Sequence, residues 1–127
     1  MTHVRLEHAN VTVADARATA EELCRLFDWE IRWEGSAING GHTVHVGNKD
    51  SYVAAYTPPS DTQKAQNSYV TRGGLNHLAV VVDDLEEIER RVSYAGYTPH
   101  NHADYEPGRR FYFHDNDGIE IEVVQYD

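Results

Sequence analysis

One cysteine, one methionine, four prolines and two lysines, Lys49 and Lys64, are the scarce residues of this 127-residue chain, and several of these shortages exclude a class of protein. The single cysteine, Cys24, has no partner for an internal disulfide, so a reducing cytoplasm is the expected compartment. It falls on the apolar side of a helical stretch, where a buried, inert thiol is expected. Basic residues number 11 against 21 acidic ones, a formal charge of −10, and no basic run exceeds two residues. Such a field repels phosphate backbones and anionic lipid, so neither nucleic acid nor a membrane surface is an expected partner. Long apolar runs are lacking too. The longest aliphatic stretch, Leu78 to Val82, has five residues, where a bilayer crossing takes about 20. Met1 to Val13 lacks the basic and apolar segments of a secretory signal.

What is present is ordinary for a globular chain: 40% hydrophobic and 25% charged residues, at a length suited to a single domain over residues 1–127. The informative feature is a repeat. Leu6-Glu7-His8-Ala9-Asn10-Val11-Thr12-Val13 can be laid over Leu75-Asn76-His77-Leu78-Ala79-Val80-Val81-Val82 with a shift of 69 residues. Both stretches read as strands with histidine third, and each histidine is followed seven residues later by an aspartate, Asp15 or Asp84. Asp15 is a natural N-cap for a helix whose apolar stripe is Ala16, Ala20, Leu23 and Phe27. Asp84 opens a second helix with the stripe Leu85, Ile88, Val92 and Ala95, acids Glu86 and Glu87 in its first turn, and Gly96 as its stop.

Strands follow each helix. Trp29, Ile31 and Trp33 alternate with polar residues, Gly40-Gly41 leads into His42 to Val46, and Asn48-Lys49-Asp50 turns the chain into Tyr52 to Tyr56. In the second half, Phe111 to Phe113 is a short strand, Asn116-Asp117-Gly118 a hairpin turn, and Ile119 to Tyr126 the last strand. Residues 101–110 read as a loop. The predicted organisation is module 1 over about 1–57, a connector at 58–74 rich in proline, glycine and polar residues, and module 2 over about 75–127.

A duplicated unit with a histidine in each opening strand, together with Phe111-Tyr112-Phe113-His114-Asp115-Asn116-Asp117-Gly118-Ile119-Glu120-Ile121-Glu122, resembles the vicinal oxygen chelate superfamily. That superfamily includes glyoxalase I, extradiol dioxygenases, fosfomycin-resistance transferases and bleomycin-resistance proteins. The likeness covers nearly the whole chain, with Asn116 standing where the usual turn has proline. It implies an α+β fold of two βαβββ modules whose mixed sheets curl into a cup with the helices outside. It also implies one divalent metal per site, held by His8, His77 and Glu122, the last lying four residues after Gly118. The fourth ligand expected in the strand around Ser51 to Tyr56 has no carboxylate or amide to supply it.

Two imidazoles and one carboxylate leave coordination positions open for a substrate with neighbouring oxygens, and iron, manganese, nickel, cobalt or zinc would all accept them. Glu120 shares a strand face with Glu122 and is a rival ligand, a rim residue, an ion-pair partner or a second acid near the opening. His42 and His45, three apart in a strand, face opposite sides, whereas His100 and His102 would share a face if extended. Tyr112, ten residues before Glu122, has the spacing of a dioxygenase tyrosine, and His102 is the upstream candidate for handling protons. The alternative for Tyr112 is an aromatic packing one sheet face. Arg109 and Arg110 would clamp an anionic substrate or merely neutralise acidic neighbours.

Two functions compete. One is a metal-dependent lyase, transferase or ring-cleaving dioxygenase acting on a small substrate, working as a homodimer with metal sites shared between chains, as the resemblance implies. The other is a metal-independent protein that sequesters a drug or metabolite in an acidic cleft rich in tyrosine and tryptophan. The presence of both histidines and Glu122 favours the first.

Overall fold

In the computed structural model, which describes residues 2–127, each half of the chain forms a four-stranded mixed sheet with one helix packed against it. The fold is α+β with two βαβββ modules, as the repeat predicts. The chain divides into two compact units between Gln63 and Lys64, a position inside the expected connector.

The first unit runs β1 (His8–Thr12), α1 (Ala16–Phe27), β2 (Glu30–Ser36), a 3₁₀ turn (Ile38–Gly40), β3 (His42–Gly47) and β4 (Tyr52–Thr57). Its sheet order is β1-β4-β3-β2, with β1 parallel to β4 and the other pairs antiparallel. Asp15 caps α1 by accepting from Ala18 N at 3.1 Å, and Thr57 Oγ1 accepts from Ala16 N at 2.8 Å while donating to Val13 O. Buried Ala16, Ala20, Leu23 and Leu26 form the apolar face of α1, which lies on β3 and its buried Val44 and Val46. Leu26 takes the place the stripe gave to Phe27, whose ring instead sits 5.1 Å from Trp29. Both residues fall on one broad helix face, and the smaller side chain is the one that enters the core.

The second unit has the same order: β5 (Leu78–Val81), α2 (Leu85–Tyr94), β6 (His100–Tyr105), β7 (Gly108–His114) and β8 (Glu120–Tyr126), arranged β5-β8-β7-β6. Asp84 caps α2 through Glu87 N, and Gln125 Oε1 accepts from Leu85 N at 2.9 Å. Leu85, Ile88 and Val92 are buried on the helix, and Phe111, Phe113, Ile121 and Val123 on the sheet beneath it. Each such side chain contributes about 1.5–3 kcal/mol on burial, which is what holds the helix to the sheet. In the turn before β8, Asp115 Oδ1 accepts from Asp117 N and Ile119 N, both at 2.9 Å, and Gly118 takes φ 81°.

The strand β6 corrects the sequence reading of residues 101–110 as a loop. Its residues, His-Asn-His-Ala-Asp-Tyr, lack apolar alternation, so pairing with β7 rather than pattern makes it a strand. A register shift between His100 and Ala103 coincides with Asn101 at φ 54°. This bulge separates His100 and His102, which an extended strand would put on one face. Among the described residues, no helix is long and apolar enough to cross a membrane.

Candidate metal centre

Strand alternation sorts the chemistry of the second unit. Phe111 pairs with Val123 and Phe113 with Ile121 on the face covered by α2. Arg110 pairs with Val124, Tyr112 with Glu122 and His114 with Glu120, and these side chains stand on the other face. His77 enters just before β5, the parallel neighbour of β8.

His77 Nε2 lies 3.1 Å from Glu122 Oε1, and His77 Nδ1 lies 2.6 Å from Asn76 Oδ1. In the tautomer whose Nδ1–H donates to Asn76 Oδ1, the imidazole presents a lone pair at Nε2 to the carboxylate. Two acceptors so close need a cation or a proton between them. Donors bound at about 2.1 Å to one ion at right angles lie roughly 3 Å apart, so the spacing fits a shared divalent metal. The other carboxylate oxygen, Oε2, accepts from Arg110 Nη1 at 2.8 Å, which leaves Oε1 as a single ligand atom. Arg110 also stacks over the Tyr105 ring at 4.6 Å, and its Nε is buried with no partner among the described residues. The Tyr112 ring meets His77 edge-on at 5.8 Å, and burial, with the Glu122 charge, pushes its hydroxyl above the usual phenol range.

The first unit repeats part of this arrangement. His8 Nδ1 lies 2.8 Å from Glu7 Oε1, which also accepts from the Tyr52 hydroxyl at 3.2 Å. Hydrogen bonds from His8 and Tyr52 hold the Glu7 carboxyl below its ordinary range. Each repeat histidine therefore has Nδ1 engaged by the residue before it and Nε2 left for a ligand bond, an outer-sphere feature that fixes a metal-binding tautomer. Glu7 and Asn76 occupy the same repeat position, and the side-chain oxygen both carry there is the sequence signal for this pairing. Beside His8 runs a row of rings: Tyr52 stacks at 4.8 Å from His8 and 4.5 Å from His45, and Trp33 lies 5.2 Å from His45. Burial keeps His45 below the usual histidine range.

Two residues grouped with the site on sequence grounds face elsewhere. His102 Nε2 lies 3.1 Å from Glu89 of α2 and its ring is 5.9 Å from Phe111, on the helix side. Arg109 donates to Glu86 of α2 and to Gln125, also away from Tyr112. The two arginines thus divide between the two faces of the sheet. Glu120 shares the Glu122 face as expected, and it accepts from the Tyr69 hydroxyl and lies 3.2 Å from His114 Nε2. His100, His114 and Glu120 each place a donor atom within 4.8 Å of the other two. No sequence signal distinguished His114; the β6 pairing that brings His100 to it was not legible as a strand.

The chain belongs to the Glyoxalase/Bleomycin resistance protein/Dioxygenase superfamily, whose sequence profile matches residues 5–123. Solved structures share the fold at low identity. A glyoxylase/bleomycin resistance protein/dioxygenase domain from Frankia sp. EAN1pec superimposes with a TM-score of 0.82 at 21% identity, covering 99% of this chain and 100% of its own. The antibiotic binding protein TnmS3 from Streptomyces sp. CB03234 gives 0.73 at 18%, with 100% and 99% covered. A variant of the fosfomycin resistance protein FosX from Listeria monocytogenes, complexed with Mn(II) and 1S,2S-dihydroxypropylphosphonic acid, gives 0.71 at 17%, with 97% and 93% covered. Among curated proteins, none matches the sequence significantly.

Proposed function

We propose that the protein is a divalent-metal-dependent enzyme of the glyoxalase or dioxygenase kind, acting on a small substrate that chelates its metal through neighbouring oxygens. The observation that carries this reading is the His77 Nε2 to Glu122 Oε1 approach of 3.1 Å, with His77 Nδ1 held by Asn76. His8, whose Nδ1 is held in the same way by Glu7, is the third ligand that the family resemblance implies. When bound, the ion supplies Lewis-acid polarisation of the chelated oxygens. The similar fold of a FosX variant from Listeria monocytogenes complexed with Mn(II) and 1S,2S-dihydroxypropylphosphonic acid supports this reading.

The chain's own groups then have separate tasks. Arg110 fixes Glu122 through Oε2, which leaves Oε1 free for the ion. Tyr112, its hydroxyl kept protonated at neutral pH, donates a hydrogen bond to substrate oxygen beside Glu122. Two chains forming a homodimer, as the resemblance implies, would be recognised by sedimentation at twice the 14.4 kDa chain mass.

A second reading, sequestration of a drug or metabolite without metal, draws on the ring row of Trp33, His45, Tyr52 and His8 and on the likeness to TnmS3. Elemental analysis after metal loading separates the two. The enzyme reading expects one equivalent of metal to be lost in each of His8→Ala, His77→Ala and Glu122→Gln, together with metal-dependent turnover of small compounds bearing adjacent oxygens. Metal content unchanged in His77→Ala and Glu122→Gln would overturn it and leave sequestration in first place.

A further inference from the structure

We infer a second divalent-metal site, formed by His100 of β6, His114 of β7 and Glu120 of β8 and separate from the His77 and Glu122 pair. Three adjacent strands bring these residues together. His100 pairs in register with Tyr112 and stacks on His114 with ring centroids 5.0 Å apart, and His114 pairs in register with Glu120. His100 Nε2 lies 3.1 Å from His114 Nδ1, and His114 Nε2 lies 3.2 Å from Glu120 Oε2. These two contacts use opposite nitrogens of His114, of which a single ion takes one; with one donor atom per residue the three lie within 4.8 Å of one another, and turning the half-exposed His114 ring closes them on an ion with bonds of about 2.0–2.2 Å.

The two ligand sets use different carboxylates. Glu120 and Glu122 sit two residues apart on one strand face, roughly 6.6 Å along the strand, so each acid serves its own histidines. Glu120 is buried, while the His114 side chain is half-exposed, giving an anchored acid below and an open approach above. The Tyr69 hydroxyl donates to Glu120 Oε1, leaving Oε2 toward His114. That bond orients the carboxylate in the way outer-sphere partners orient metal ligands. Tyr69 is itself set by the turn in which its N–H meets Asn67 Oδ1 at 3.0 Å. Two imidazoles and one carboxylate select a borderline ion of the zinc, nickel or cobalt class over magnesium or calcium.

Zinc is the probe for the test, titrated into chelator-stripped full-length protein and counted by equilibrium dialysis with elemental analysis. Wild type is expected to bind two equivalents per chain, the double variant His77→Ala/Glu122→Gln one, His100→Ala or His114→Ala one, and all four changes together none. His114 is exposed enough that its removal leaves the fold intact, which circular dichroism checks. Tyr69→Phe is expected to weaken zinc at this site by on the order of ten-fold without changing its stoichiometry. If wild type binds one equivalent that survives His77→Ala/Glu122→Gln and disappears in His114→Ala, this site stands and the metal-enzyme reading falls. Zinc stoichiometry and affinity unchanged in both His100→Ala and His114→Ala would overturn the inference.

Discussion

Arg110 donates from Nη1 to Glu122 Oε2 at 2.8 Å, and both side chains are nearly covered, at 12% and 9% exposure. A carboxylate so placed is expensive to leave without a positive partner. Removing the guanidinium in Arg110→Met should therefore lower the thermal midpoint of the metal-free protein. A divalent ion on Oε1 would take over part of the compensation, so saturating manganese or zinc should raise the midpoint more in the variant than in wild type. Thermal unfolding with and without metal measures this. An equal loss under both conditions would mean that Arg110 and the ion do not share Glu122.

Asp115 gives a prediction with a definite sign in pH. Its Oδ1 holds the turn through two backbone N–H groups, and burial raises its pKa above the ordinary aspartate value despite those bonds. The folded protein thus binds this proton more tightly than the unfolded chain, so the ionised form subtracts from stability at neutral pH, and the deficit fades as pH falls through the raised value. Asp115→Asn keeps the acceptor and loses the charge, and should be at least as stable as wild type at pH 7, with its advantage shrinking on acidification. Asp115→Ala loses both hydrogen bonds and should cost about 1–3 kcal/mol in urea unfolding. A destabilised Asp115→Asn at pH 7 would contradict the burial argument.

The architecture was legible because it is written in local signals. Asp15 and Asp84 cap their helices as the sequence indicates, three of the four residues in each stripe face the sheet, with Leu26 replacing Phe27 and Ala95 exposed at the end of α2, and Asp115 to Gly118 makes the turn before Glu122. Glu120 and Glu122 share a face because period-two alternation is a property of any strand. The strand β6 was not legible, since His100 to Tyr105 carries no apolar alternation and becomes a strand only by pairing with β7. With β6 hidden, the meeting of His100 with His114 was hidden too, and so was the division of His100 from His102 by the bulge at Asn101. Likewise, adjacent Arg109 and Arg110 look equivalent in sequence, yet alternation sends one to Glu86 on α2 and the other to Glu122.

Cys24 should behave as a slow thiol. The side chain is half-buried rather than buried as the sequence suggested, and partial desolvation raises its pKa above the ordinary cysteine value, outweighing the nearby Arg17 charge. Alkylation proceeds through the thiolate, so iodoacetamide at pH 7.5 should modify the folded protein at roughly a tenth of the rate seen in urea or less. Mass spectrometry over time reads both rates. Equal rates would show that the folded chain neither shields the thiol nor raises its pKa.

The bulge at Asn101 ties backbone strain to the second metal site. At φ 54° the residue occupies the left-handed region, which asparagine tolerates, glycine adopts freely and a β-branched side chain resists at roughly 1–2 kcal/mol. Asn101→Gly should therefore leave stability and zinc stoichiometry near wild type. Asn101→Val should lose about 1–2 kcal/mol in urea unfolding. It should also weaken zinc at His100, His114 and Glu120, because straightening β6 turns His100 away from His114. The His77 and Glu122 pair lies outside the β6 bulge, so its metal should be retained in the same variant. Dialysis of Asn101→Val against zinc checks both statements at once: retention of both equivalents at wild-type affinity would show that the bulge does not set the His100 position.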